Sequence, residues 1–324
     1  MASIMGALRR RVLTPDMAET RLSTRGFYEK NPAARDLLET VGMSFLTGYG
    51  FAAEAAGPTD AESGLEQVPY EFRGFAYEGA AMACAVRDGL PFGHAHRVER
   101  FLTGQAARHV YMVYVGVGWA MARVPRFRWS SMYTADPLLR WLVLDGYGFH
   151  QAYFRTAKYV HEQYQEPNFP WPGKGWSWYA DRVIDQGIGR ATWFVAGTDA
   201  ARVADIFEEF PESRRADLYA GAGLAATYAG GAGEQELAEF LQRADKHRRW
   251  VAQGSAFAAS ARVEAGLVTP HTELATRVLC DGMTPEEASI VCAESLPDPC
   301  VDGAVPAYEV WRTRIAERFA QAGD

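Results

Sequence analysis

The sequence predicts a mainly α-helical protein, internally duplicated, of solenoid-like or α/α architecture. Three observations carry this. A glycine-rich segment recurs through the chain in the same order twice. Apolar residues fall at helical spacing more often than they alternate. Hydrophobic residues make up 48% of the chain, enough for a large core. The first pass runs from Gly74 to Ala83 and continues through Gly116-Val117-Gly118-Trp119 and Asp145-Gly146-Tyr147-Gly148-Phe149-His150. The second has Gly187-Ile188-Gly189-Arg190, Gly221-Ala222-Gly223 and Gly254-Ser255-Ala256. Gly79 and Gly189, Gly118 and Gly223, and Gly148 and Gly254 stand roughly 105 to 110 residues apart. Units within a half follow at roughly 30 to 40 residues, the period of helical repeat arrays.

Residues 1–66 form an N-terminal arm and helix. Asn31 followed by Pro32 is a helix start, with Asn as cap and Pro in the first turn. Leu37, Leu38, Val41 and Phe45 then share a face, and Gly48 and Gly50 are expected to end the helix. Residues from about Ala53 to Glu66 read as a loop. The first repeat half spans 67–163. Within it, Val110 to Val115 is the one run with strand character, because Val and Tyr favour sheet.

Residues 164–178 hold Pro167, Pro170, Pro172, Gly173 and Gly175, through which a helix cannot continue. They are the expected joint between halves. The second half spans 179–267, where Val203, Phe207 and Phe210, and Leu237, Phe240 and Leu241, keep helical spacing. A C-terminal helical segment, 268–324, contains Thr284-Pro285-Glu286-Glu287, a capping signature. Each glycine inside a helix costs about 1 kcal/mol relative to Ala. Small residues on one face repay this when helices approach closely, as in a stack of helix pairs.

Composition excludes several function classes. Net charge is −7, so a phosphate backbone would be repelled. Arg9-Arg10-Arg11 is the one basic run and reads as a solvated tail. Cys84, Cys280, Cys292 and Cys300 lack metal-ligand or disulfide spacing and read as reduced thiols. No signal peptide or membrane span is expected, so the predicted location is the cytoplasm.

Motif tests remove most chemistries. Gly116-Val117-Gly118 lacks the third small residue and the acid of a dinucleotide fingerprint. There is no phosphate loop, no Gly-x-Ser-x-Gly elbow and no second His after His161-Glu162. His94 and His96 read as a solvated pair in a loop. With no cofactor motif left, the expectation is a protein without a cofactor and without a metal site.

The polar residues beside the glycines are the better candidates. Glu78, Asp145, His150, Asp185, Gln186 and Arg190 adjoin small patches that should pack deeply, where a charge must be paired or face a cavity. Glu78, Asp145, His150 and Arg190 are the candidate catalytic residues, with His150 and Asp145 as a possible acid–base pair. Each has an equally simple structural reading, a buried ion-pair network that fixes the packing. Aromatics beside the same patches, Tyr77, Trp119, Tyr147, Trp193 and Tyr219, are the candidate ligand-binding residues.

Several long strings carry a resemblance. Phe72 to Met82, Gly116 to Arg123, Asp145 to His150 and Gly187 to Phe194 resemble a bacterial family often labelled an enediyne biosynthesis protein, itself a domain of unknown function. The likeness covers about Arg21 to Arg314. It implies an accessory role beside the polyketide synthase that makes a linear polyene, in antibiotic biosynthesis. It assigns no catalytic residue.

The reading that follows is a protein that binds or modifies a hydrophobic polyene-derived intermediate during enediyne core maturation, possible partners being the polyketide synthase or other proteins of the cassette and an oligomer. A helical scaffold for the synthase and its partner enzymes is the alternative. A terpene-cyclase-like Mg-dependent enzyme, drawing on Asp181 with Asp185 or Asp205 with Glu209, is a weaker one.

Overall fold

The computed structural model describes residues 4–90, 96–171 and 176–322. The described residues are helical or irregular, with no strand among them. The expected His94 and part of the Pro-rich joint, 172–175, lie outside the described residues. The principal helices are α1 (Ile4–Leu13), α2 (Pro32–Glu54), α3 (Arg73–Gly89), α4 (Val110–Met121), α5 (Leu142–Phe154), α6 (Ser177–Val195) and α7 (Ala200–Glu208). They continue as α8 (Glu212–Ala229), α9 (Glu234–Arg243), α10 (Arg248–Ala265), α11 (Pro270–Leu279), α12 (Pro285–Glu294) and α13 (Ala307–Ala322). Among the described residues, no helix is long and apolar enough to cross a membrane.

Two local expectations are met at the atomic level. Asn31 caps α2, its side chain accepting from the Ala34 N–H at 2.9 Å, with Pro32 in the first turn. Thr284 and Glu287 cap α12 reciprocally. Two others are corrected. The run from Val110 to Val115 is the start of α4, because buried Val and Tyr fill a helix that is apolar all round. Helix α2 does not end at Gly48 and Gly50 but continues to Glu54. Gly48 is there for a neighbour: a Cβ on it would collide with the carbonyl of Ala76 on α3.

That collision recurs along the chain and explains the glycines. The helices α2, α3, α4, α5, α6, α8 and α10 pack each on the next. At four successive interfaces two glycines face each other in antiparallel register. Each would drive a Cβ into the carbonyl oxygen three residues before its partner glycine. Gly118 of α4 meets Val143 O, and Gly146 of α5 meets Val115 O. Gly148 and Gly187 do the same between α5 and α6, Gly189 and Gly221 between α6 and α8, and Gly223 and Gly254 between α8 and α10. Gly48 and Gly79 join α2 to α3 by the same rule, and at the α3–α4 contact Gly116 faces Ala81.

Helical positions two apart point about 200° from each other. In the Gly-x-Gly of α4, α5, α6 and α8 the first glycine therefore touches the preceding helix and the second the following one, whereas Gly48 and Gly50 of α2 face the following and the preceding helix in the opposite order. The unit of recurrence is one helix, not the expected helix pair. A duplication of one half onto the other is not shown by this packing, which runs through α5 and α6 on either side of the Pro-rich stretch as it does elsewhere.

The row of helices curls back on itself. Phe75 near the start of α3 packs edge-on against Tyr228 of α8, 5.1 Å between rings. The Arg262 guanidinium of α10 donates to Glu71 O at 3.0 Å, and Tyr70 Oη donates to Val268 O at 2.8 Å. Helix α13 closes one side, where buried Arg312 pairs with Asp217 of α8 at 2.8 Å. The curl leaves space at its centre.

Candidate functional site

The central cavity opens in part to solvent, and together with the open solvent at its mouth it amounts to about 830 Å³ not filled by atoms. Its walls come from α2, α3, α4, α5, α6 and α8 and from the turn Met17–Thr20. Phe45, Trp119 and Phe149 form a continuous aromatic face, with ring centroids 4.6 and 5.1 Å apart, and Phe194 packs on Phe149 at 5.2 Å. Such a surface grips an apolar ligand by burial and stacking. A second space, about 550 Å³, lies toward α10 and α13 between Phe257, Trp311 and Tyr308. Arg190, Leu224 and Tyr228 line both and form the partition.

A buried polar cluster sits in that partition. Glu78, Asp145, Gln186 and Arg190 are all buried. They reach the same place because the Gly-x-Gly contacts draw α3, α5 and α6 together. The Arg190 guanidinium forms a short bond to Asp145 and lies 3.9 Å from Glu78. Gln186 donates to Asp145 at 2.8 Å and meets Tyr308 Oη at 3.2 Å. Arg190 keeps its charge: burial opposes it, but Asp145 and Glu78 outweigh burial. It also stands over the Phe149 ring at 5.0 Å.

Glu78 differs from Asp145 in facing the cavity without a formed hydrogen bond. Burial pushes its carboxyl up to about 7, with Arg190 opposing and Asp145 adding to the rise. The Trp119 indole N–H also favours the carboxylate, but too loosely to count as a bond, and it finds no other partner. A carboxyl that ionises near neutrality inside an apolar cavity is suited to give or take a proton, and Arg190 to stabilise charge that develops beside it.

The other sequence candidates are placed apart. His150 does not pair with Asp145, which is five residues away on α5 and committed to Arg190 and Gln186. Its ring packs on Trp119 and Phe154, both ring nitrogens lack a partner, and burial with Arg123 and Arg155 nearby lowers its pKa to about 3. It is a neutral ring packed against Trp119 and Phe154 of the cavity wall.

Of the five candidate binding aromatics, Trp119 lines the central cavity. Tyr77 stacks on His109 at 3.9 Å and donates to Glu66 at 2.7 Å. Tyr147 faces a separate small pocket with Tyr159 and Phe169. Trp193 donates to Gly230 O at 2.9 Å, and Tyr219 packs on Phe207 at 5.0 Å.

Residues that the sequence reading passed over complete the wall: Phe45, Phe149, Phe194, Tyr228 and, at the rim, Arg123. Arg123, Phe149 and Phe194 stand inside the quoted glycine strings, the one signal in the sequence that marks them.

One acid of each pair considered for Mg is engaged elsewhere. Asp185 is gripped by Arg214 at 2.5 and 2.9 Å, and Asp205 by Arg243 at 2.7 Å. Among the described residues no group of three potential ligands is placed to hold a metal ion.

No curated protein and no solved structure matches the chain. A family model does, over residues 4–319, and its description is a protein of unknown function, DUF1702. With nearly its whole length matched, the chain belongs to the DUF1702 family.

Proposed function

We propose that the protein binds a hydrophobic, polyene-derived intermediate in its central cavity and acts on it through Glu78. The observation that carries this is the aromatic wall of Phe45, Trp119 and Phe149 ending on a buried Glu78–Arg190–Asp145 cluster. An apolar wall supplies affinity for a conjugated chain, and a carboxyl titrating near 7 supplies a proton acceptor or donor where the chain is held. Asp145, itself held by Gln186, fixes Arg190, so that Arg190 meets any negative charge formed beside Glu78. The resemblance of the glycine strings to proteins labelled for enediyne biosynthesis gives the ligand class: a linear polyene on its way to an enediyne core.

The scaffold alternative requires the acids beside the glycines to be exposed for partner binding, whereas Glu78, Asp145 and Asp185 are buried. The Mg-dependent alternative has one acid of each pair committed to an arginine, Asp185 to Arg214 and Asp205 to Arg243. Titration with a linear conjugated polyene tests the proposal. Trp119 emission should be quenched, and Trp119→Phe should lose most of the change. Unaltered emission across the titration would overturn the reading.

A further inference from the structure

We propose that helix α1 docks on an anionic membrane surface, its aliphatic side among the outermost lipid tails and Arg11 on the phosphates. The run Arg9-Arg10-Arg11, expected to be a solvated tail, belongs to this helix, which packs on α2. The side it turns to α2 is not its apolar one. Gly6 is buried and Leu13 partly so. The Arg9 guanidinium reaches the end of α2, donating to Ala53 O at 3.2 Å, Glu54 O at 2.9 Å and Ala55 O at 3.1 Å, and Arg10 pairs with Glu54 at 3.0 Å. The aliphatic side chains face solvent instead: Ile4 is 90% exposed, Met5 62%, Leu8 52% and Val12 72%. Positions four apart share a helix face, so Ile4, Leu8 and Val12 form one stripe, and Arg11, seven after Ile4, stands beside it.

Charge selects what covers this stripe. Helix α1 carries three arginines and no acid. Arg9 and Arg10 are engaged with α2, but Arg11 is exposed and has no ion-pair or hydrogen-bond partner among the described residues. A second copy of the chain would bring more arginines and no countercharge to the same face. Docking on another protein concentrates on aromatic anchors, and the stripe has none. Aliphatic residues on one side of a helix with arginine at their edge suit the boundary between acyl chains and anionic headgroups. The chain then runs from α1 into Pro15, Glu19 and Thr20, which line the central cavity, so a docked α1 holds that wall beside the bilayer. The docking itself goes beyond the cavity reading and stands without it.

Cosedimentation with vesicles tests this, using phosphatidylcholine alone and phosphatidylcholine with phosphatidylglycerol in equal parts. The full chain should pellet with the anionic vesicles, and less so as salt is raised. Leu8→Ser with Val12→Ser should weaken that binding at least ~10-fold, and Arg11→Ala about fivefold. All three side chains are exposed, so the Tm of each variant should equal the parent's, which verifies folding. Polyene binding read without vesicles should be the same in parent and variants, so the cavity reading and this one fail separately. No pelleting, equal pelleting with both vesicle types, or binding that survives the Leu8 and Val12 changes overturns the proposal. A parent that is dimeric by light scattering and made monomeric by those changes overturns it in favour of a second copy.

Discussion

Gly118 of α4 and Gly146 of α5 face each other so closely that neither position has room for a Cβ; each abuts the carbonyl three residues before the other. The same relation recurs at four other interfaces, with Ala81 in place of a glycine at the α3–α4 contact, and the close packing draws Glu78, Asp145 and Arg190, from three helices, into one buried cluster.

Gly118→Ala should destabilise although alanine is the better helix former. The added methyl meets backbone rather than a flexible side chain, so the helices must separate, at about 1–3 kcal/mol. Thermal unfolding should fall by at least ~2 °C. Gly303→Ala, where a Cβ would meet nothing nearer than 4.0 Å, is the control and should be near neutral.

Arg190→Met removes the cation from a buried Asp145 and should cost about 3–5 kcal/mol. Adding Asp145→Asn removes the stranded charge, so the double variant should be more stable than Arg190→Met alone. Chemical unfolding of the single and double variants measures the coupling. Additive losses would show that the pair does not interact as described.

Glu78 has a sign that can be worked out. Its ordinary pKa is 4.5 and its folded value about 7, so between these the folded protein keeps a proton that the unfolded chain has released. Stability contributed by this group falls as pH rises from about 4.5 to 7 and is flat outside, a total of about 3 kcal/mol. Glu78→Gln should match the parent's Tm at pH 4 and exceed it at pH 8. A variant that loses equally at both values would show that Glu78 is ionised throughout.

His150→Phe should be neutral or stabilising, because it replaces a buried ring with two unpartnered nitrogens by an apolar one among Trp119 and Phe154. A large loss in Tm would mean that His150 holds a partner the geometry lacks.

The helical class and the importance of the glycines were legible in the sequence, since both are local properties of spacing. The meaning of Gly-x-Gly was only half legible. That two glycines mark a close approach follows from their size, but that they face opposite neighbours needs the helix order in space. That Glu78, Asp145 and Arg190 are buried follows from their place beside the glycines, but which of them pair does not, and His150 packs away from Asp145. Sequence adjacency to Gly148 says nothing of which side of α5 the ring occupies. Tyr77, Trp193 and Tyr219 adjoin glycines just as Trp119 does, yet point into other parts of the core. The curl that selects Trp119 is a property of the whole row of helices.

The most direct test of the proposed cavity ligand is to map where a long-chain alkyl diazirine attaches on irradiation, by peptide mass spectrometry. Labelling is expected at Met82, Phe149 and Phe194, buried on three different helices around one space, with competition by a linear polyene. Label confined to exposed apolar residues such as Ile4, Met5 and Val12 of α1, unaffected by polyene, would contradict it.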